Sequence, residues 1–177
     1  TNPKDITFYA GRTSCIAFKV KDLSLKLYKP KKIFLENFDV FFIRQDPPFD
    51  MNYISNCYLL ELHKKFYKKP VFINDPTGIK NFTEKIFPLY FYSFMPQTMV
   101  SSRFEDLKFM FKRHNRLVLK PLYCKGGEGV YKLSRKDKHV VETFEKLLLK
   151  YKSPIVIQKF IENVKYGDKR VILINGK

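Results

Sequence analysis

Leu117-Val118-Leu119-Lys120-Pro121-Leu122-Tyr123-Cys124-Lys125-Gly126-Gly127-Glu128-Gly129-Val130-Tyr131-Lys132-Leu133 decides how the rest of the chain is read. An apolar run delivers Lys120 and closes with Pro121, a loop carries Gly126, Gly127 and Gly129, and the apolar pattern resumes from Val130 to Leu133. That is strand, glycine loop, strand. Glycines allow φ > 0 and let backbone N–H groups approach an anion with no Cβ in the way, while Lys120 and Lys125 bring countercharge. Such a loop can lie flat on a phosphate, although an ordinary hairpin with a glycine bulge has the same residues. No Gly-Lys-Ser/Thr follows, which excludes a Walker loop. The glycine spacing and the lack of a helix behind the loop exclude a dinucleotide fingerprint.

Working outward, 177 residues at 45% hydrophobic can bury a core in one domain or two small ones. No run is apolar for the length of a membrane span and no signal-peptide pattern opens the chain, so a soluble, cytoplasmic protein is expected. Cys15, Cys57 and Cys124 are odd in number and lack metal-ligand spacing, which predicts reduced thiols. His63, His114 and His139 are scattered, so a Cys/His metal site is not expected. A net charge of +17 is the footprint of a nucleic-acid binder. The lysines are spread along the whole chain, however, and base-reading motifs are absent. A lysine-rich solvated surface is the expected reading and a basic nucleic-acid-binding domain its rival.

Toward the N-terminus, Lys4 to Tyr9 and Ser24 to Tyr28 read as short extended segments. Phe38 to Ile43 is a continuous apolar run suited to a strand buried on both faces, and it ends in Arg44-Gln45-Asp46-Pro47-Pro48-Phe49-Asp50. Ligands of open α/β sheets collect beyond the carboxyl ends of strands, so Arg44 and Asp46 emerge where a polar substrate is met. A plain strand exit with a turn-marking Asp-Pro fits the same residues. Asp50 predicts the cap of a helix to about Phe66 with Tyr53, Ile54, Cys57, Tyr58, Leu60 and Leu62 on its apolar face. Val71 to Asn74 predicts a second buried strand and completes a βαβ unit, and Asp75-Pro76-Thr77-Gly78 marks a boundary.

Beyond the boundary, Asn81 and Glu84 form a capping box for a helix to about Phe91. Lys85 then sits in its first turn against the positive end of the macrodipole, at a cost of roughly 0.3–1 kcal/mol. Glu84 relieves that cost, or a phosphate held by the helix end and Lys85 does. Ser102 and Glu105 repeat the box for a helix from Arg103 to about His114, with Leu107, Met110 and Phe111 inward. Past the glycine loop, Val140 to Tyr151 has helical spacing with Val141, Phe144, Leu147 and Leu148 inward. Ser153-Pro154 breaks it. Ile155 to Ile161 then reads as a core strand, or as one whose exposed edge at Gln158, Lys159 and Phe160 receives a flat base. Gly167-Asp168-Lys169-Arg170 leads into a strand from Val171 to Ile174 and an Asn175-Gly176 hairpin signal with no returning strand.

In order and spacing from about Asp39 onward, these residues resemble the bacterial glutathione synthetases of the ATP-grasp superfamily. Four groups carry the resemblance: Arg44 to Asp50, Asn74-Asp75-Pro76 followed by Glu84-Lys85, Leu119-Lys120-Pro121 with its glycine loop, and Gly167-Asp168-Lys169-Arg170. The Asp-Pro-Pro-Phe-Asp segment is the most specific, because the Lys-Pro strand and glycine loop recur in other ATP-grasp ligases such as D-alanine ligases. Cys124, Lys125 and Glu128 depart from the family's loop.

The resemblance implies an α/β ATP-grasp architecture: a βαβ open-sheet substrate domain over residues 1–80 and an ATP-grasp domain over 81–177. The latter divides into a central nucleotide subdomain, 81–154, and the start of a C-terminal subdomain, 155–177. It implies ATP-dependent joining of γ-glutamylcysteine to glycine through an acyl phosphate, with ligation of another carboxylate and amine as the alternative. Lys85 and Lys120 are then the phosphate lysines, and Gly126, Gly127 and Gly129 the loop over the triphosphate. Gln158, Lys159, Phe160 and Ile161 form the adenine hinge, and Asp168 lies near the ribose. Arg170 faces the reacting carboxylate and phosphate, and Arg44 and Asp46 lie on the dipeptide side. The family's Mg²⁺ ligands are expected beyond residue 177, so this chain is expected to be a fragment that does not turn over by itself. The full-length protein is expected to be a homotetramer.

Overall fold

The computed structural model describes residues 6–17, 20–21, 26–27, 29–45 and 48–173. They fall into two units, Thr1–Phe87 with Tyr123–Gly126, and Pro88–Leu122 with Gly127–Lys177. In the first unit, β1 (Thr7–Tyr9) and β2 (Arg12–Ala17) are joined by a two-residue turn. Both turn residues, Ala10 and Gly11, have positive φ, as a turn matched to the twist of a hairpin requires. β3 (Val20–Lys21) and β4 (Lys26–Leu27) pair separately, and β5 (Lys31–Phe34) returns to β2, giving the order β1-β2-β5. β6 (Val40–Phe42), α1 (Met51–Phe66) and β7 (Val71–Ile73) make the expected βαβ unit, with β6 and β7 parallel. Asp50 caps α1 as predicted, its carboxylate accepting from the Tyr53 N–H at 3.0 Å.

Two expectations fail in this unit. β6 and β7 are not buried on both faces. Phe41 and Phe72 pack on the core of Cys15, Leu35, Ile43 and Leu60, whereas Val40, Phe42, Val71 and Ile73 are exposed. Successive strand residues point to opposite faces, and among the described residues the packing elements lie on one of them. The helix expected from Asn81 to Phe91 is also replaced. Asp75 accepts from the Thr77 N–H at 2.9 Å and Pro76 occupies the first turn of α2 (Pro76–Asn81), which therefore ends where a helix start was predicted. The chain then turns through residues 84–86 into a 3₁₀ segment, Phe87–Phe94. α2 is held to α1 by a 2.8 Å ion pair between Lys80 and Glu61, and Lys80 also lies 4.0 Å above the Tyr58 ring.

The second unit is a single antiparallel sheet under two helices. Its elements are β8 (Thr98–Ser101), α3 (Phe104–Arg113), β9 (Arg116–Pro121), β10 (Tyr131–Ser134), α4 (Val140–Tyr151) and β11 (Ile155–Lys159). The strand order is β10-β9-β11-β8. Period-two alternation sends Leu117, Leu119, Leu133, Ile155 and Ile157 to one face, where they meet Leu107, Met110 and Phe111 of α3 and Phe144 and Leu147 of α4. Val140 packs at the place expected for Val141, which is 43% exposed. α3 begins one residue later than predicted, at Phe104, and its N-cap, Arg103, makes no side-chain cap bond. The Ser101 hydroxyl, just before it, accepts from the Arg103 N–H and donates to Asp106, so Ser102 and Glu105 are not the pair used. Lys152, at φ 47°, closes α4.

β8 was not foreseen, and it changes the reading of β11. Flanked by β9 and β8, β11 has no exposed edge. Val171, Ile172 and Leu173 form no strand and are exposed, as residues without a ladder partner are. Ile174 and the Asn175-Gly176 signal lie outside the described residues, as do Asp46 and parts of Lys4–Tyr9 and Ser24–Tyr28. No helix among the described residues is long and apolar enough to cross a membrane.

Candidate functional site

The residues one step out of phase with the core leucines and isoleucines make the other face of the second unit's sheet. Val118 and Lys120 of β9, Lys132 of β10 and Gln158 of β11 line a cavity of about 580 Å³ there, with Lys159, Phe160, Ile161 and Asp168 closing it beyond the end of β11. Six predicted site residues, Lys120, Gln158, Lys159, Phe160, Ile161 and Asp168, are thus brought together. Lys120 Nζ donates to Gln158 Oε1 at 2.7 Å, and Gln158 Nε2 donates to Thr98 Oγ1 at 2.7 Å. The Lys132 ammonium lies 4.0 Å over the Phe160 ring.

The segment after β11 is tied down on both sides. The Lys159 N–H donates to the Gln97 carbonyl at 2.9 Å and the Phe160 N–H to the Arg116 carbonyl at 3.1 Å. The Ile161 N–H has no backbone partner among the described residues, and its carbonyl accepts from Val164. One backbone donor of this segment therefore stands beside the cavity without a backbone partner. Gly167, at φ 94°, turns the chain so that Asp168 also lines the cavity. Arg170 does not: it sits in an exposed irregular stretch.

The glycine loop is not uniform. Gly126 and Gly127, at φ 60° and 78°, have no heavy atom within 4 Å of where a Cβ would stand, and the Val130 N–H closes on the Gly127 carbonyl. Gly129, at φ 69°, is different. A Cβ there would lie 2.5 Å from the Tyr151 hydroxyl and 2.7 Å from Pro121 Cγ. Two glycines stand in open space, and the third lies against α4, where Lys150 and Tyr151 both reach Glu128 at 3.3 Å.

In the first unit, Lys85 is 15% exposed, donates to the Cys124 carbonyl at 2.7 Å and pairs with Glu84 at 3.1 Å. It anchors the start of the glycine loop from a turn, not from the first turn of a helix, so the helix-end phosphate site expected there is not formed. Arg44 lines a separate cavity of about 240 Å³ with Tyr53, Asn56 and Cys57. Burial pushes the Cys57 thiol up to about 11, with Glu61 adding to the shift. None of the three cysteines is in a disulfide, and among the described residues no three His, Cys, Asp or Glu side chains gather as metal ligands.

Thr98 and Lys132 escaped the sequence reading. For Lys132 a signal existed, since Val130 and Lys132 share a strand face that the antiparallel hairpin places beside Val118. Thr98 had none without β8.

Residues 84–177 match the family described as prokaryotic glutathione synthetase, ATP-grasp domain, and residues 1–80 match prokaryotic glutathione synthetase, N-terminal domain. A glutathione synthetase from Bradyrhizobium diazoefficiens is 38% identical over 151 residues, covering 85% of this chain and 47% of the relative. One from Brucella melitensis biotype 1 is 37% identical over 158 residues, covering 89% of this chain and 50% of the relative. The chain spans about half the length of these curated relatives. Among solved structures, the ATP-grasp ligase PsnB complexed with a precursor peptide and AMPPNP aligns with a TM-score of 0.46 at 12% identity, covering 83% of this chain and 52% of that one.

Proposed function

Since the chain belongs to the prokaryotic glutathione synthetase family and has its ATP-grasp architecture, we propose that the whole protein joins γ-glutamylcysteine to glycine at the expense of ATP. The observation that carries this reading is the convergence of Lys120, Gln158, Lys159, Phe160, Ile161 and Asp168 on one cavity. Adenine lies in the apolar part of that cavity against Phe160, with its edge toward the Ile161 N–H. Asp168 accepts from the ribose hydroxyls. Lys120 meets the phosphates, where an ammonium offsets the charge that develops as the γ-phosphoryl group transfers.

In the first step the cysteinyl carboxylate oxygen attacks the γ-phosphorus, the bond to the bridging oxygen of ADP breaks, and an acyl phosphate forms. In the second, the glycine amine attacks the acyl carbon, phosphate leaves with the C–O bond electrons, and the nitrogen gives up a proton. Gly126 and Gly127 present backbone N–H groups to the triphosphate, while Gly129 holds the loop on its helix. Lys85 contributes the second phosphate contact, Arg170 faces the acyl phosphate, and Arg44 and Asp46 lie on the dipeptide side. Residues 1–80 supply the substrate domain and 81–177 the nucleotide domain. Small-molecule substrates, a cytoplasmic setting and a homotetramer go with this reading. Mg²⁺ accompanies ATP in such chemistry. The described residues gather no ligand set for it.

The test is glycine-dependent release of ADP by the full-length gene product. Release with γ-glutamylcysteine and not with D-alanine is expected; release driven by D-alanine alone overturns the choice of substrate. A fall in ATP affinity of roughly 10- to 100-fold in Lys120→Ala, the size of one lost charge-assisted contact, supports the nucleotide site. Unchanged affinity removes it.

A further inference from the structure

We propose that Thr98 is a positioning residue for Lys120, acting through Gln158 by fixing which end of the side-chain amide faces the ammonium. The inference rests on the reading of Lys120 as a phosphate contact.

Thr98 Oγ1 lies 2.6 Å from the Pro96 carbonyl oxygen, which can only accept. A hydroxyl has one proton, and this contact takes it. Toward Gln158, 2.7 Å away, Thr98 can therefore only accept, so the amide must turn its NH₂ to Thr98. Its carbonyl end is then left 2.7 Å from Lys120 Nζ, an ammonium that can only donate. The assignment of oxygen and nitrogen in Gln158 thus follows from the network. Rotating the amide by half a turn would set NH₂ against ammonium and carbonyl against an oxygen whose proton is already engaged. Both contacts would fail together.

The sheet register makes the relay possible. Thr98 is paired directly with Gln158 across β8 and β11. Gln158 is paired with Val118 across β11 and β9, which places Lys120, two residues on, diagonally beside it on the same face. All three side-chain contacts are partly buried, where a mismatched dipole is screened less than in water. β8 therefore does more than cover an edge: its first residue decides the polarity of the surface next to the phosphate lysine.

The experiment is ATP binding by the full chain in Thr98→Val, Thr98→Ser and wild type, each also in a Lys120→Ala background, with thermal melting alongside. Thr98→Val keeps the β-branched shape and loses the hydroxyl, so ATP should bind roughly 3- to 10-fold more weakly, the size of one lost hydrogen bond. Thr98→Ser keeps the relay and should stay within about twofold of wild type. In the Lys120→Ala background Thr98→Val should add less than about twofold, because the positioned group is gone. An equal loss in both backgrounds overturns the proposal, as does wild-type affinity in Thr98→Val. Wild-type affinity in Lys120→Ala overturns the phosphate reading itself, a different failure. Should Thr98→Val not fold, side-chain amide NMR of the unmutated chain decides. Gln158 NH₂ protons close to the Thr98 methyl group support the relay, and the same protons close to the Lys120 ε-methylene sink it.

Discussion

On one face of the β10-β9-β11-β8 sheet Leu117, Leu119, Ile155 and Ile157 are fully buried beneath α3 and α4, while one residue along each strand Val118, Lys120 and Gln158 line an open cavity. The same backbone serves both. The covered face holds the unit together through apolar burial, and the other face carries ammonium, amide and hydroxyl groups whose partners are polar. On the proposed nucleotide reading, a strand with this division loses stability when a side chain is removed from one face and ligand affinity when it is removed from the other.

The most severe test of that division is Phe144→Ala. Phe144 is 1% exposed within the helix-covered core, and its removal should cost about 3–5 kcal/mol of unfolding free energy in denaturant titrations. ATP affinity of the protein that remains folded should change by less than about twofold; a large loss would break the separation of faces. Lys120→Ala is the mirror experiment. Its unfolding free energy should move by less than about 1 kcal/mol, the range of substitutions that leave no cavity or orphaned charge, while binding falls as stated above. Gly129→Ala sharpens the comparison inside the loop. Beyond the positive φ that Gly126→Ala shares, it must displace Pro121 and Tyr151, so it should destabilise by about 1–3 kcal/mol more than Gly126→Ala. Ser101→Ala removes the hydroxyl that joins the Arg103 N–H to Asp106 at the start of α3 and should cost about 1 kcal/mol in the same titration.

The smallest expected effect lies in the first unit. Burial works to raise the pKa of Glu61, but hydrogen bonds from Lys80 and Thr77 and the Lys80 charge outweigh it and hold the carboxyl below its ordinary 4.5. A lowered folded-state pKa means a contribution to stability that is complete above 4.5 and is lost as pH falls through the folded value. Glu61→Gln should flatten the acid limb of a stability-against-pH curve below 4.5 and leave the neutral limb parallel to wild type.

What could be read in the residues was whatever repeats locally. Alternation put Lys120 beside the leucines of a strand, three glycines marked the loop, and Asp50 and the spacing of Val140 to Tyr151 located two helices. The failures came from competition and from distance. Asn81 with Glu84 imitates a cap, but Asp75-Pro76 starts the helix six residues earlier and leaves no backbone for a second one. The four-residue strand Thr98–Ser101 follows an aromatic run and carries too few residues to show a period of two. Without it, β11 reads as a strand with an exposed edge, and nothing in the residues singles out Thr98. Pairing register joins residues dozens of positions apart, and no local pattern reports it.

The cysteines, idle in the proposed chemistry, have a use of their own. Cys57 is fully buried with its thiol proton held to about 11, Cys15 is 1% exposed, and Cys124 sits half-buried in the loop. An alkylating reagent meets the last in the native chain and the first two when the β2–α1 core opens. The rate at which mass is added at Cys15 and Cys57 therefore counts the transient openings of the first unit, a stopwatch built into the molecule that needs no engineered label.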